Sequence, residues 1–323
     1  MGVIWLWVAL LVVGFVVLVV SASYFVDAAK IAAHYLGVSE LIIGLTAVSI
    51  GTSAPEILIA ITDSYTESPD TAIGNAIGSN IANIGLVLGL TAIVVPLPFE
   101  ERVLRSELPM LLVATCITAF CLANLYVGRV DGLILLAFLG YILYRLVRDT
   151  RTTGELPEEI ESEVEDLERM SPLRAWIQLA IGLVFLSVSA KVIVSSAERI
   201  AAILGVPEML VGLTVVAAGT SLPELAATMA AALRRSPEIA IGNIVGSNIL
   251  NILAVLSVPA LLSPSSITPI DFWRDFGAMF ILTMLLALFA NGIGAKKTIT
   301  RCEGVVFLAS YCCYIVMVYW QDL

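Results

Sequence analysis

Apolar runs of about 20 residues, the length a helix needs to cross a hydrocarbon core roughly 30 Å thick, follow one another along almost the whole chain. The composition agrees, because 59% of the 323 residues are hydrophobic and only 14% are charged. Soluble domains carry about 25% charged residues. Strands of a membrane barrel would alternate polar and apolar residues, and these runs do not. The sequence therefore predicts an all-α integral membrane protein.

Two long motifs occur twice. GLTAVSIGTSAPE begins at Gly44 and returns as GLTVVAAGTSLPE at Gly212, while AIGNAIGSNIANI begins at Ala72 and returns as AIGNIVGSNILNI at Ala240. Both pairs are 168 residues apart, and the register continues without a gap beyond the motifs. Self-similarity at a fixed spacing indicates that the chain is an internal duplication.

Each half contains five apolar spans. They lie near 3–22, 41–64, 71–95, 108–126 and 130–147, and near 174–194, 208–232, 239–262, 272–292 and 304–320. Because five is odd, the second half must enter the membrane from the opposite side. We predict ten transmembrane helices arranged as two inverted five-helix repeats, residues 1–148 and 174–323, joined by a linker at 149–173.

The charged residues agree with this count. If the N-terminus lies outside, 13 of the 17 Lys and Arg residues fall inside and only Arg129, Lys191, Arg199 and Arg274 fall outside. This is the bias expected of cytoplasmic loops. Eight acidic residues crowd between Glu155 and Glu168, which predicts a solvated cytoplasmic linker rather than a calcium-binding EF-hand loop.

The first repeated motif places an acid, Glu56 or Glu224, inside an otherwise apolar span. A charge at that depth costs roughly 3 kcal/mol or more, so it usually faces a partner or an aqueous path. Neither of the two spans contains Lys or Arg. We therefore predict that a cation is the partner of both glutamates.

Hydroxyl groups accompany each glutamate. On a helix, Thr52 and Ser53 would share a face with Glu56, and Thr220 and Ser221 repeat the arrangement in the second half. The proline before each glutamate cannot donate a backbone hydrogen bond, so we expect two broken helices with freed carbonyls that line a cavity. Carboxylate, hydroxyl and carbonyl oxygens are the ligands that Ca²⁺ takes in sets of 6–8, and Na⁺ has similar preferences.

The second motif adds amides. Ser79 and Asn83 stand one helical turn apart, and Ser247 and Asn251 repeat them. The motif holds further asparagines, so not every amide need be a ligand. It also contains a GxxxG pair in each half, which we interpret as a face that packs the two motif helices of each copy together.

The paired GTSxPE and GNxxGSNxxN segments resemble the alpha-repeats of the cation/calcium exchanger superfamily, and specifically its prokaryotic sodium/calcium exchangers. The likeness spans both halves. It implies a ten-helix fold with central ion sites and a secondary active antiporter, not an enzyme, that exchanges Ca²⁺ for Na⁺ by alternating access. No cofactor is expected, and Ca²⁺ and Na⁺ are the transported ions.

By motif position, the resemblance implies that Glu56 and Glu224 bind Ca²⁺. The remaining ligands of the Ca²⁺ and Na⁺ sites would be Thr52, Ser53, Ser79, Asn83, Thr220, Ser221, Ser247 and Asn251, with the carbonyls of Ser49 and Ala217. Asn251 is a departure, because well-studied members carry aspartate there. The neutral amide leaves the number of coupled Na⁺ ions and any protonation step open.

Three other functions compete with this interpretation. A proton-coupled Ca²⁺ exchanger would share the overall plan, but such relatives usually lack the Thr-Ser-x-Pro pattern. A cation channel would tend to use a ring of identical subunits rather than a duplication within one chain. A membrane enzyme has little support, because the sole histidine, His34, has no nucleophile–base set beside it.

The expected partners are therefore Ca²⁺ and Na⁺, with H⁺ as the alternative coupling ion, and the lipid bilayer. We expect no nucleic acid partner and a functional monomer. The resemblance also implies a multi-pass protein of the prokaryotic inner membrane, and the charge bias predicts that both termini are extracytoplasmic.

Overall fold

The computed structural model describes residues 2–66, 69–150, 171–206, 211, 217–292 and 297–321, and nearly all of these are helical. The prediction of an all-α fold is therefore confirmed. Most of the predicted acidic linker, 149–173, lies outside the described residues.

Three helices of the first half continue through a wider, π-helical stretch. The helices are α1, Gly2–Leu36; α2, Glu40–Ile43, Gly44–Val48 (π-helical) and Ser49–Thr52; α3, Ala54–Tyr65; α4, Pro69–Ala82, Asn83–Leu88 (π-helical) and Gly89–Val94; α5, Val103–Glu107 (π-helical) and Leu108–Leu122; and α6, Arg129–Thr150.

The described helices of the second half follow the same order. They are α7, Pro172–Ile203; α8, Ala217–Thr220; α9, Leu222–Leu233; α10, Pro237–Leu250, Asn251–Val255 (π-helical) and Ser257–Leu262; α11, Pro269–Asp271, Phe272–Phe276 (π-helical) and Gly277–Ala290; and α12, Arg301–Gln321.

Seven helices in the described part of the chain are long and apolar enough to cross a membrane, and the α2–α3 pair, bent by 41°, could form an eighth span. Helices α6 and α9 occupy the positions of the two remaining predicted spans without meeting that standard by themselves. The count of ten thus stays a prediction. Helices α4 and α10 are the most deeply buried spans, so they form the centre of the protein.

Two small antiparallel sheets tie the halves together. Strand β1 (Leu97–Pro98) pairs with β4 (Thr298–Ile299), and β2 (Tyr126–Val127) pairs with β3 (Ser265–Ser266). Strand β1 precedes α5 and β2 follows it, so the sheets lie at opposite ends of that helix. We call the two ends of the protein the β1–β4 face and the β2–β3 face.

Helices α1 and α7 show how the halves are related. A Cβ built on Gly14 of α1 would approach Ile193 of α7, and one built on Gly182 of α7 would approach Phe25 of α1. Gly14 and Gly182 are 168 residues apart, as are Phe25 and Ile193. The two helices therefore run antiparallel and make the same contact twice, which is the pattern of a two-fold axis. This geometry agrees with an inverted repeat.

Candidate ion site

Both glutamate-bearing helices are broken directly before the acid. Helix α2 ends and α3 begins on either side of Ser53, whose backbone is at φ −85° and ψ 4°; Ser221 separates α8 from α9 at φ −89° and ψ 8°. A proline in the first turn of α3 and of α9 fits there because that turn has no intrahelical partner for its N–H. Glu56 and Glu224 therefore stand in the first turn of a helix, where the helix dipole stabilises a carboxylate.

The two glutamates, one from each half, meet at the centre. Glu56 is 1% exposed and Glu224 is 2% exposed. The hydroxyl of Ser53, three residues before Glu56, donates to Glu224 Oε1 at 3.3 Å. The other carboxylate oxygen of each residue is buried without a hydrogen-bond partner among the described residues. Two buried carboxylates are stable in their charged form only when positive charge lies nearby.

Thr52 connects the first glutamate motif to the second motif of the other half. Its hydroxyl donates to Asn243 Oδ1 at 3.1 Å and lies 3.5 Å from the Ser247 hydroxyl. Thr52 and Ser247 are both fully buried. The structure thus brings together predicted site residues that are far apart in sequence.

Further predicted ligands are buried with polar atoms that have no partner among the described residues. These atoms are the hydroxyls of Ser79 and Ser221 and both amide atoms of Asn83 and of Asn251. Buried polar groups are nearly always hydrogen-bonded, so this concentration needs an explanation, and a bound cation with its water would supply one for the oxygens. Asn83 and Asn251 each begin a π-helical stretch, a distortion that is frequent at functional sites.

The remaining predicted ligands are less distinctive. The Ser49 carbonyl accepts the Ser53 N–H at 2.9 Å, and the Thr52 hydroxyl lies 3.4 Å from the same oxygen. Ala217 begins α8, and Thr220 ends it half-buried. The breaks at Ser53 and Ser221 confirm the broken helices that the prolines predict.

The glycine pairs differ between the halves. A Cβ on Gly242 would lie 2.6 Å from the Leu41 carbonyl oxygen, and one on Gly246 would lie 2.8 Å from that of Leu45. This pair therefore packs α10 tightly against α2 of the other half, not against the motif helix of its own copy as we predicted. The mates of these glycines, Gly74 and Gly78, meet no described residue within 4 Å.

The two glycine pairs lie towards opposite faces of the protein. Helix α10 ends just before β3, so its start, with Gly242, lies towards the β1–β4 face; α4 ends just before β1, so its start, with Gly74, lies towards the β2–β3 face. Gly74 is exposed, whereas Gly242 is buried. Towards the β1–β4 face, α10 is therefore packed closely against α2.

Two residues of the site were not singled out by the sequence. Asn243 accepts from Thr52 and donates from Nδ2 to the Thr228 hydroxyl at 2.9 Å and to the Glu224 carbonyl at 3.5 Å. The motif marks Asn243 as polar but does not separate it from its neighbouring asparagines. Thr228 gave no signal, because its repeat mate is Ala60.

Hard-cation chemistry fits the donor set. No group of three or more His, Cys, Asp or Glu side chains suited to a metal occurs in the described ranges. With two carboxylates, most of the 6–8 oxygens that Ca²⁺ takes must come from hydroxyls, amides, carbonyls and water. Such a set suits an ion that enters and leaves.

Comparison with known proteins decides the family. The family model described as sodium/calcium exchanger protein matches residues 6–148 and 174–320, one segment in each half. The chain belongs to this family. The resemblance drawn from its two motifs is thereby confirmed, and so is its assignment to membrane ion exchangers. Na⁺ and Ca²⁺ are the ions that sodium/calcium exchangers transport, and the family uses no cofactor.

Relatives of this exchanger match it over nearly its full length. The inner membrane protein YrbG of Escherichia coli is 37% identical over 97% of this chain and 96% of its own. The sodium/calcium exchanger MaX1 of Methanosarcina acetivorans is 30% identical over 96% and 98%. A structure of the sodium-calcium exchanger NCX_Mj, soaked with zero Na⁺ and Ca²⁺, superposes with a TM-score of 0.81 at 32% identity and covers 98% of this chain and 100% of its own.

Proposed function

We propose that this exchanger moves Ca²⁺ across the membrane against Na⁺ by alternating access. The observation that carries the proposal is the meeting of Glu56 and Glu224, one from each inverted repeat, at a single buried site linked by Ser53. Family membership supports the choice of ions, and MaX1 and NCX_Mj are both named as exchangers of sodium and calcium.

The charge of the site couples the two ions. Two ionised carboxylates balance one Ca²⁺, and Na⁺ ions can replace it by binding the same oxygens. An unloaded pair repels itself and resists being sealed in a medium of low dielectric constant. The proposed ligands are those predicted from the sequence: Glu56, Glu224, Thr52, Ser53, Ser79, Asn83, Thr220, Ser221, Ser247 and Asn251, with the carbonyls of Ser49 and Ala217.

The close packing of Gly242 and Gly246 against α2 of the other half supports alternating access. Inverted repeats supply two conformations of similar energy, in which the same contacts form on one side or on the other. The tight contact of Gly242 and Gly246 with α2 would then close the β1–β4 face in one of these conformations.

The orientation follows from the charged residues. We infer that the β1–β4 face is cytoplasmic and that both termini are extracytoplasmic, because this places most Lys and Arg inside. We further propose that residues 1–148 and 174–323 are the two repeat units, that 149–173 link them, that ten spans cross an inner membrane such as that of YrbG, and that a monomer is the working unit.

Labelled Ca²⁺ uptake into proteoliposomes tests the proposal. Uptake should be driven by an outward Na⁺ gradient and should be lost in Glu56→Gln and in Glu224→Gln, since each removes one of the two charges that balance Ca²⁺. Glu101→Gln is the matched control, because Glu101 is exposed and lies outside the site. Gradients of K⁺ and of protons are applied in turn. Near-normal uptake in either site variant contradicts the assigned site, and uptake driven by protons but indifferent to Na⁺ contradicts Na⁺ coupling.

A further inference from the structure

A groove runs between α1 and α7 on the outside of the helix bundle. Its volume is about 660 Å³, and apolar side chains of both helices form most of its lining. The two helices touch at one lining residue, Gly182, where a Cβ would lie 3.0 Å from the Phe25 Cβ. The α7 wall extends from Arg174 to Phe185, about 16 Å at the usual rise of a helix. Because a hydrocarbon core is roughly 30 Å thick, the groove is about as long as one leaflet is deep.

The end of the groove that carries Arg174 lies towards the β1–β4 face. Helix α10 begins at that face, and the Leu41 N–H at the start of α2 donates to Glu238 at the start of α10 at 3.2 Å. Helix α1 ends at Leu36, shortly before α2 begins, so its end lies at the same face. Because α7 runs antiparallel to α1, α7 starts there. In the proposed orientation, the groove therefore lies in the cytoplasmic leaflet.

The two described helices that line the groove offer Arg174 no counter-charge. Helix α1 carries one acid, Asp27, which pairs with Arg234. The one acid of α7, Glu198, lies towards the opposite end of that helix. Arg174 is exposed, and its backbone N–H rather than its guanidinium bonds the Ser171 hydroxyl. An exposed guanidinium at one end of an apolar groove suits a phosphate that is attached to a hydrocarbon chain.

A smaller groove of the same kind lies between the same helices, towards their other end. Its volume is about 340 Å³, and its Val188 is the repeat mate of Val20 in the larger groove. Trp7 lines the smaller groove, whereas the repeat mate of Trp7 is Ala175, next to Arg174. The fold thus forms a groove in each leaflet, and the smaller side chain leaves more room in the one that carries Arg174.

We propose that the larger groove is a binding site for one anionic phospholipid of the cytoplasmic leaflet, with an acyl chain along its apolar walls and the phosphate on Arg174. Gln178 lines the groove one helical turn from Arg174, so its amide adds a donor beside the guanidinium. An anionic headgroup fits better than a zwitterionic one, because choline would bring a second cation to a groove whose lining holds no acid. The site is separate from the ion site, and only the name of the leaflet depends on the proposed orientation.

Native mass spectrometry of the full chain in a nonionic detergent tests the headgroup. Dioleoylphosphatidylglycerol and dioleoylphosphatidylcholine share their acyl chains and differ in net charge. One basic residue favours an anionic lipid by about fivefold, so the first phosphatidylglycerol should bind about fivefold more tightly than the first phosphatidylcholine. Arg174→Gln should remove this preference. Arg148→Gln is the matched control, because Arg148 is exposed at the end of α6 and does not line the groove.

A second pair of variants tests the acyl chain. Val20 lines the groove and is 48% exposed, so Val20→Trp fills the groove without removing a side chain from the core. This variant should lose the first binding event of both lipids. Val19→Trp adds the same indole at a neighbouring position that is 61% exposed and does not line the groove, and it should bind both lipids as the parent does.

Photocrosslinking locates the lipid on the parent protein, so this arm does not depend on the folding of any variant. Phosphatidylglycerol with a diazirine in its acyl chain, in lipid nanodiscs, should give adducts concentrated at 16–24 of α1 and 177–185 of α7. Adducts spread evenly over the lipid-facing helices would overturn the site. So would a preference that survives in Arg174→Gln, an equal loss in Arg148→Gln, or equal binding by the two tryptophan variants. Because lipid binding needs no ion gradient, these results are independent of the uptake assay.

Discussion

Replacing Gly246 with alanine should force α10 away from α2. The new Cβ would lie 2.6 Å from the Ser49 hydroxyl and 2.8 Å from the Leu45 carbonyl oxygen. The hydroxyl can rotate, but the carbonyl belongs to the backbone of α2, so the helices themselves must move apart. Overpacking of this kind costs about 1–3 kcal/mol. We expect the melting midpoint of the purified protein to fall by several degrees.

Gly78→Ala is the matched control. Gly78 is the repeat mate of Gly246, and its Cβ would meet no described residue within 4 Å. Both substitutions replace a helical glycine with alanine, which favours the helix by roughly 1 kcal/mol in each case. The difference between the variants therefore isolates the contact. Thermal unfolding followed by intrinsic fluorescence, at fixed detergent, pH and ion concentration, should place Gly246→Ala below the parent and Gly78→Ala at or above it.

Equal midpoints for the two alanine variants would refute the inferred asymmetry of packing. A second substitution separates the Ser49 hydroxyl from the other two atoms that the new Cβ meets, the Leu45 carbonyl oxygen and the Ser49 Cβ, each at 2.8 Å. Adding Ser49→Ala to Gly246→Ala removes the hydroxyl but leaves both of these atoms, so the midpoint should stay low. Full recovery would show that the hydroxyl alone is displaced and that α2 does not move.

Three further predictions concern single side chains. Asn251→Asp adds a third acid to a buried site, so that Ca²⁺ uptake should depend more steeply on pH than in the parent; a pH series of uptake rates measures this. Hydrogen bonds from Lys297 and Arg105 lower the pKa of Glu101. These bonds therefore stabilise the folded protein above the ordinary glutamate pKa, and this stabilisation is lost as the pH falls through the lowered pKa. Glu101→Gln should flatten the acid side of the melting profile. Tyr314→Phe removes a 3.0 Å bond to Asp275 and should cost about 1 kcal/mol in unfolding free energy.

Each of these predictions has a contrary outcome. An Asn251→Asp profile parallel to the parent would mean that the added acid is not part of the transport site. If the melting midpoint of Glu101→Gln fell with pH as steeply as that of the parent, the loss of stability in acid would have to come from other carboxylates. A loss in Tyr314→Phe as large as that in Asp275→Asn would show that the hydroxyl is needed to hold Asp275 on Arg274.

The sequence was sufficient for the membrane class, the duplication and the pair of buried acids. The length of an apolar run indicates directly whether a helix lies in the lipid bilayer. A charged side chain in the bilayer is so costly that Glu56 and Glu224 are conspicuous in the sequence. Prolines beside them predict helix breaks, and the structure has such breaks at Ser53 and Ser221. These inferences depend on local spacing, which a sequence displays.

Contacts between the halves could not be predicted. A GxxxG pair shows that one face of a helix carries small residues, but it does not show which helix packs on that face. In the structure, α2 of the other half packs against Gly242. Thr228 escaped notice because comparison of the repeats reveals only what they share. Whether the Ser49 carbonyl is hydrogen-bonded depends on the exact geometry of one turn. In the structure the N–H of Ser53 donates to it.

The two small sheets bear on how such a chain can arise. Each takes one strand from each half, and β1–β4 and β2–β3 are the same brace formed once at either end of the protein. Each half supplies both kinds of strand that such a sheet needs. A single ancestral half could therefore form the same two sheets with a second copy of itself inserted in the opposite orientation. Gene fusion would then have preserved existing contacts, and only afterwards could the copies diverge at single positions such as Ala60 and Thr228.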